Sequence, residues 1–119
     1  CYTGRVFDAE EARNGGLIKD IYSPQEVMDA ARGLAREIAD NTSAVSVAMT
    51  RAMMWRLPNG DHPMEAHKID SRAIYRLSRG ADAKEGIASF LEKRAPQYPG
   101  RVSEDMPDFY PWWDAAEYR

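Results

Sequence analysis

The stretch Glu85-Gly86-Ile87-Ala88-Ser89-Phe90-Leu91-Glu92-Lys93-Arg94, near the end of a 119-residue chain, decides the fold class. Its apolar residues recur three and four positions apart, which is the spacing of one face of an α-helix. The stretch closes on two cations, and cations are favourable at the negative end of a helix. It therefore predicts a short amphipathic helix with Ile87, Phe90 and Leu91 turned inward.

Helix-start signals divide the rest of the chain. An acceptor side chain followed three residues later by glutamate caps a helix N-terminus, and this arrangement begins at Asp8, Ser23 and Asp82. Further starts are expected at 41–43 and at Asp61, just before Pro63. We therefore predict a mainly α fold with about five helices, at 9–14, 24–40, 44–56, 62–78 and 83–94. Two of them carry an apolar stripe, formed by Val27, Ala31, Leu34 and Ile38 in the second and by Ala66, Ile69, Ala73 and Leu77 in the fourth.

Two segments do not fit a helix. Residues 17–22 are few and favour extended structure, so we expect one short strand there. A lone strand leaves its backbone groups unpaired, so either the segment is irregular or its sheet partner belongs to sequence outside this chain. Residues 96–119 contain four prolines, which exclude a long helix, and six aromatic residues, which are too many for a disordered linker. We predict an extended Pro/aromatic tail whose rings pack into surface grooves.

Composition excludes several classes of function. The net charge is −3, so no basic excess is present to neutralise the phosphates of a nucleic acid. No apolar run approaches the roughly 20 residues that span a bilayer. The single cysteine cannot form an intrachain disulfide, which favours a reducing, cytoplasmic compartment. The two histidines, His62 and His67, have no cysteine pair near them, so no metal site is expected.

The candidate site lies at the end of the fifth predicted helix. Positions three and four apart share a helix face. The ring of Phe90, which could stack on a purine, would then lie beside Lys93 and secondarily Arg94, whose cations can meet phosphates. The competing interpretation is structural, with Phe90 in the core and both cations complementing the helix dipole. Spacing alone favours the structural interpretation.

Three other clusters are interpreted as structural. Methionines with Trp55 on the third helix are typical of packing against another chain or against sequence outside this one. An arginine stripe on the fourth helix is typical of a solvated outer face. Adjacent acids cannot form a general acid/base pair, which needs two carboxylates across a cleft, so no catalytic residue is predicted. The clusters are Met49, Met53 and Met54; Arg72, Arg76 and Arg79; and the pairs Glu10–Glu11 and Glu104–Asp105.

A second signal stands at the other end of the chain: Thr3-Gly4-Arg5, then Asp8-Ala9-Glu10-Glu11-Ala12, then Gly15-Gly16-Leu17-Ile18. In this order and at this separation, the two signals resemble the C-terminal part of the crotonase (enoyl-CoA hydratase/isomerase) superfamily, from about residue 3 to residue 100. The resemblance implies three regions. Residues 1–22 would end a spiral core, 23–95 would form a C-terminal helical oligomerisation region, and 96–119 would be the tail, which the family does not explain.

The resemblance also implies a chemistry. Enzymes of this family act on acyl-CoA thioesters, including those of fatty acid metabolism, as hydratases (lyases) or isomerases. Backbone amides stabilise an enolate-like oxyanion, and carboxylates deliver water or move a proton. In the family these groups lie upstream of the segment that aligns with Cys1. We therefore expect this chain to be a C-terminal fragment that is inactive alone and whose partner is an N-terminal catalytic region.

Ligand and partners follow from the same resemblance. Lys93, Phe90 and Arg94 would line part of the pocket for the adenine nucleotide end of coenzyme A, often facing a neighbouring subunit. The ligand is then the coenzyme A thioester as substrate, with no separate cofactor, and the chain would assemble as a trimer or a dimer of trimers. The alternative is a stand-alone helical protein-interaction module without a ligand, which would bind a partner through the face that carries Met49, Met53, Met54 and Trp55.

Overall fold

The computed structural model describes residues 2–115 and 117, which form five helices: α1 (Ala9–Asn14), α2 (Val27–Asn41), α3 (Ala44–Arg56), α4 (Pro63–Leu77) and α5 (Ala81–Glu92). The predicted mainly α class is confirmed. The chain separates into two compact units, Cys1–Glu37 and Ile38–Arg119, so that the boundary falls within α2. The functional division at residues 22 and 95 stays a prediction.

Helix α1 is closed at both ends by the predicted local signals. The Asp8 carboxylate accepts a hydrogen bond of 2.8 Å from the Glu11 amide, while the Glu11 side chain pairs with Arg5 instead of completing the capping box. At the other end Gly16 takes a left-handed conformation with φ of 75°. The amide of Leu17 then reaches back to the Ala12 carbonyl at 2.9 Å. This is the Schellman closure, in which a left-handed residue lets two amides satisfy orphan carbonyls.

The strand expected at residues 17–22 does not form. The segment runs through bends, and none of the described residues of the chain lies in a strand. The Ile21 amide is satisfied locally by the Asp20 carboxylate at 2.9 Å. Of the two alternatives that the sequence leaves open, the irregular one describes this structure. A β-favouring composition is a preference that needs a paired neighbour.

Helix α2 begins three residues later than predicted and does not bury its stripe. The Ser23 hydroxyl donates to the Glu26 carboxylate at 2.7 Å, but residues 24–26 form a turn before the helix starts at Val27. None of its residues is buried, and Val27, Leu34 and Ile38 are all more than a third exposed. The pattern identifies the apolar face correctly but cannot specify what covers it.

The core of the second unit lies between α3 and α4, which pack against each other. From α3 it takes Val45, Met49 and Ala52, and from α4 it takes Ala73. Met49 is only 1% exposed, so the expectation that the methionine stripe packs against another chain or against outside sequence is wrong for Met49, which α4 of this chain covers. The outer end of the stripe is different, because Met54 and Trp55 are 70% and 73% exposed.

The starts of α3 and α4 rest on side-chain caps. The Ser43 hydroxyl oxygen accepts from the Ser46 amide at 3.2 Å, and α3 has the bounds that the sequence predicts. The cap of α4 is His62 rather than Asp61, since its Nδ1 accepts from the Met64 amide at 3.0 Å. Pro63 follows at the first helical position, where its missing N–H has no cost.

The predicted capping box at Asp82 is wrong. Helix α5 begins after Gly80, without a side-chain cap. The Asp82 carboxylate is occupied elsewhere. One oxygen accepts from the Ser43 hydroxyl at 2.5 Å, and the other accepts from the Gly100 amide at 2.8 Å. Asp82 therefore ties the start of α3 to the segment that follows α5.

Residues 96–115 and 117 of the tail form no helix, and the prediction that the rings of the tail pack onto a surface is confirmed for several of them. Pro107 is almost fully buried. Trp113 lies edge-on to Tyr110 at 5.2 Å. It also receives the Arg56 guanidinium at 4.5 Å from its ring centre. Tyr118, which belongs to the same prediction, lies outside the described residues.

Two glycine-to-alanine changes in this unit should have opposite effects. A Cβ at Gly100 would lie 2.4 Å from the Asp82 carboxylate, so Gly100→Ala should lower the free energy of unfolding by about 1–3 kcal/mol. A Cβ at Gly86, inside α5, would make ordinary contacts with Tyr98. Gly86→Ala should raise stability by about 0.4–1 kcal/mol. Urea unfolding followed by circular dichroism measures both, and equal effects of the two changes would contradict the Asp82 tie.

Candidate functional site

Helix α5 ends two residues earlier than the sequence predicts, and its last turn has an unusual residue. Lys93 caps the helix in the left-handed conformation with φ of 54°, the only such residue other than glycine among those described. Its amide donates to the Phe90 carbonyl at 3.3 Å, and the Arg94 amide donates to the Ser89 carbonyl at 3.1 Å. The bonds form the same Schellman closure that ends α1, with lysine where α1 has Gly16.

A set of contacts here called the Glu85 clasp holds this turn. The Arg94 guanidinium donates through two nitrogens to the two Glu85 oxygens, at 2.5 Å and 2.9 Å. One of those oxygens also accepts from the Gln97 amide at 2.7 Å. The Glu85 side chain is only 17% exposed. The clasp consists of Glu85, Arg94 and the Gln97 amide, and it fixes the chain on the far side of Lys93.

The clasp determines the charge state of Glu85. The hydrogen bonds from Arg94, then the one from the Gln97 amide, lower the pKa of the Glu85 carboxyl from 4.5 to about 2. The hydrogen bonds from Arg94 to Glu85, and then the one to Glu92, raise the pKa of Arg94 above its ordinary value. Both groups are therefore charged over the whole physiological range. This is an ion pair that holds a turn, and it leaves neither partner free to act as a proton carrier.

The structure separates the three predicted site residues. Phe90 is 82% exposed, so the interpretation that places it in the core is wrong for this chain. The Lys93 ammonium has no acidic group within 4.0 Å among residues 2–115 and 117. Arg94 differs, because the clasp and a 2.6 Å contact from Nε to Glu92 occupy its guanidinium.

The inward face predicted for α5 is also wrong. Ile87 and Leu91 are 63% and 72% exposed, and Phe90 is more exposed still. The buried residue is Ser89, at 3%. The Ser89 hydroxyl is satisfied by donating to the Gly86 carbonyl at 3.2 Å. Helix α5 therefore turns an apolar stripe outward, and the stripe ends next to Lys93.

Sequence reasoning missed a groove of about 880 Å³ in the second unit. Its floor is formed by α3 and α4, with Met49 and Ala73, and its rim by Asp82, Tyr98 and Gly100. The Asp82 tie crosses this rim. Residues from four helices, with Asn41 at the end of α2, and from the tail build the groove, so no local spacing in the sequence could have indicated it.

A smaller hollow of about 510 Å³ lies where the tail meets α3. Two cations, Arg51 and Arg56, and three aromatic rings, Trp55, Tyr110 and Trp113, line it. Arg56 already stacks on Trp113.

Within the described part of the chain, no group of three or more His, Cys, Asp or Glu side chains is placed to hold a metal ion. Over the same residues, no helix is long and apolar enough to cross a membrane.

Comparison with known proteins decides the family. Residues 1–101 match the family described as enoyl-CoA hydratase/isomerase. The chain belongs to that family. Its relatives include enoyl-CoA hydratase AFT3-1 of Alternaria alternata, which is 35% identical over 103 residues that make up 86% of this chain and 34% of that protein. Carnitinyl-CoA dehydratase of Proteus mirabilis is 34% identical over 83% of this chain and 39% of its own length.

Solved structures agree with the family assignment. The crystal structure of a probable enoyl-CoA hydratase/isomerase from Mycobacterium abscessus matches 82% of this chain with a TM-score of 0.76 and 29% identity, over 38% of that chain. This chain thus spans between about a third and two-fifths of the length of the family members it matches.

The Glu85 clasp should give the chain a defined pH dependence. A carboxyl whose pKa is lowered on folding stabilises the folded state above its unfolded pKa, and this contribution is lost as the pH falls through the folded value. The difference in free energy of unfolding between the wild type and Glu85→Gln should therefore have its maximum above pH about 5 and decrease as the pH falls from 4.5 to about 2. Urea unfolding at several pH values measures the difference.

The matched control is Glu104→Gln, which removes the same charge from an exposed pair with Arg101 at 3.6 Å. Exposed pairs contribute little to stability, so this variant should follow the wild type across the range. A Glu85→Gln difference that stays constant from pH 7 to pH 3 would show that the clasp does not depend on the carboxylate charge.

Proposed function

We propose that this chain supplies part of the coenzyme A pocket and of the oligomer interface of an enzyme that acts on acyl-CoA thioesters. The catalytic carboxylates and the oxyanion hole of that enzyme would lie outside these 119 residues. Support comes from the family match over residues 1–101 and from the share of the relatives that the chain spans, 34% for the Alternaria hydratase.

The observation that carries the proposal is the position of Lys93. The left-handed conformation costs a lysine about 1–2 kcal/mol, a cost that glycine, which has no Cβ, does not have. The same closure at the end of α1 uses Gly16, at φ of 75°. Residues held in such strained conformations cluster at ligand sites. A cationic side chain at Lys93, with no acidic group within 4.0 Å of its ammonium among the described residues, suits a ligand that brings its own negative charge.

The neighbouring surface suits the rest of that ligand. Coenzyme A joins a planar adenine to several phosphates, so it offers a face for stacking and charges for pairing. Phe90, 82% exposed, provides a ring three residues before Lys93. Lys93 provides an ammonium for a phosphate oxygen. Because Arg94 is held by Glu85 and Glu92, Lys93 is the principal cation of the proposed pocket.

The proposed interface uses the outward apolar surfaces. Ile87 and Leu91 on α5, and Met54 and Trp55 on α3, are each more than 60% exposed. Apolar surface of this extent is a common mark of a contact with another chain or another part of the same protein. A trimer or a dimer of trimers of the whole enzyme would cover it, and Phe90 can serve both the interface and the pocket.

Substitution of Lys93 tests the pocket. Lys93→Ala should weaken coenzyme A binding about tenfold, the value of one charge-assisted hydrogen bond of about 1.5 kcal/mol. Lys93→Gly should weaken binding equally while raising the free energy of unfolding by about 0.5 kcal/mol, because relief of the left-handed strain exceeds the extra backbone entropy that glycine loses on folding. Isothermal titration calorimetry and urea unfolding measure the two effects.

Pantetheine, which lacks the phosphates, is the control ligand, and its affinity should not change in either variant. If coenzyme A binds wild type and Lys93→Ala equally, Lys93 is not part of the pocket. The helical interaction module without a ligand would then be the better description of this chain.

The proposal also predicts that the 119-residue chain has no hydratase activity. Hydration of crotonyl-CoA needs an oxyanion hole and a carboxylate that activates water, and we place both outside this sequence. Loss of the ultraviolet absorbance of the conjugated enoyl thioester, followed over time, should not be faster with the protein than without it. Hydration above the rate without protein, with a specific activity that stays constant through successive purification steps, would refute the proposal that the catalytic groups lie outside this sequence.

A further inference from the structure

Arg94 is a cation at the proposed pocket, yet its guanidinium is turned back toward its own helix. Two of its nitrogens donate to Glu85 and the third donates to Glu92 at 2.6 Å. One of the first two also reaches the Ala95 carbonyl at 3.2 Å. A guanidinium with each of its nitrogens bonded in this way has little left to offer a phosphate.

The bonds of Arg94 also fix the backbone of Lys93, the residue before it. The Lys93 backbone is fixed on its N-terminal side by its bond to the Phe90 carbonyl. On its C-terminal side it is fixed by the bonds of Arg94, through both the amide and the guanidinium. The Gln97 amide, also bound to Glu85, holds the chain three residues further on. Lys93 is therefore a strained residue between two anchored neighbours.

We propose that Glu85 is a positioning residue for coenzyme A, which acts through Arg94 to keep the Lys93 turn in place and so sets where the Lys93 ammonium is presented. This inference rests on the proposed role of Lys93. In this role Glu85 does not itself contact coenzyme A. Arg94, which the sequence suggests as a ligand-binding residue, becomes the link between Glu85 and Lys93.

Glu85 carries this role better than Glu92, although both contact Arg94. The Glu85 side chain is 17% exposed and binds two nitrogens of Arg94 together with the Gln97 amide. The Glu92 side chain is 61% exposed and makes one contact, two residues away in sequence. Glu85 lies two turns earlier in α5, so it ties the turn to the body of the helix, whereas Glu92 belongs to the last turn itself.

A role through charge and a role in positioning predict opposite changes in coenzyme A affinity when Glu85 loses its charge. Removing a carboxylate near an anion site should strengthen the binding of phosphates if the carboxylate acts only through its charge. Removing a carboxylate that holds the cation in place should weaken it. Glu92→Gln removes the same charge close to the same turn and serves as the matched control.

The experiment is calorimetric titration of wild type, Glu85→Gln, Glu92→Gln, Lys93→Ala and the double variant Glu85→Gln/Lys93→Ala with coenzyme A. Titration is done at a pH and temperature where circular dichroism shows every variant fully folded. We expect Glu85→Gln to bind about fivefold more weakly, and Glu92→Gln to bind as tightly as wild type or more tightly. The double variant should bind like Lys93→Ala alone, because Glu85 acts only through Lys93.

The remaining outcomes separate the two proposals. If Lys93→Ala weakens binding while Glu85→Gln leaves it unchanged or strengthens it, the positioning role is overturned and the pocket stands. Additive losses in the double variant also overturn the positioning role, since Glu85 would then act independently of Lys93. If Lys93→Ala has no effect on coenzyme A binding, the proposed pocket role of Lys93 is refuted, and the positioning role of Glu85 is refuted with it.

Discussion

Two carboxylates near the start of α5 hold the chain that leaves the other end of the same helix. Asp82 accepts from the Gly100 amide and from the Ser43 hydroxyl. Glu85 accepts from the Arg94 guanidinium and the Gln97 amide. Asp82 lies in the first turn, where the helix dipole favours an acidic group, and neither carboxylate closes a capping box. The helix start is left to Gly80, and the acids fix the path of the tail.

This arrangement explains how a lysine can occupy a position that suits glycine. The chain closes α1 and α5 with the same pair of backbone bonds, around Gly16 in one case and Lys93 in the other. Glycine adopts the left-handed conformation freely, whereas lysine is strained by about 1–2 kcal/mol. Such strain persists only where the surroundings fix the backbone from several sides. The Glu85 clasp does so, and it stays ionised down to pH of about 2 because the pKa of Glu85 is lowered that far.

Local signals predicted those parts of the fold that depend on local contacts. Helix α3 has its predicted bounds because Ser43 caps one end and Pro58 follows the other. The start of α5 was predicted wrongly because Asp82 binds Ser43, 39 residues earlier, and no short-range pattern contains that partner. In the site, the two cations after α5 indicate Lys93. No sequence pattern indicates the Glu85–Arg94 pair, because a separation of nine is not a spacing at which helical side chains meet.

The orientation of α5 shows why the same motif gives its two cations different roles. The apolar pattern predicted the stripe correctly and its direction wrongly: Ser89 is buried with its hydroxyl satisfied, and Phe90 faces outward. Turning the stripe outward places an exposed ring and the end of the helix on accessible surface. Arg94 is folded back against Glu85, on the helix that it follows. Of these two cations, Lys93 alone has no acidic group within 4.0 Å among the described residues, so Arg94 holds the turn while the Lys93 side chain takes part in no ion pair.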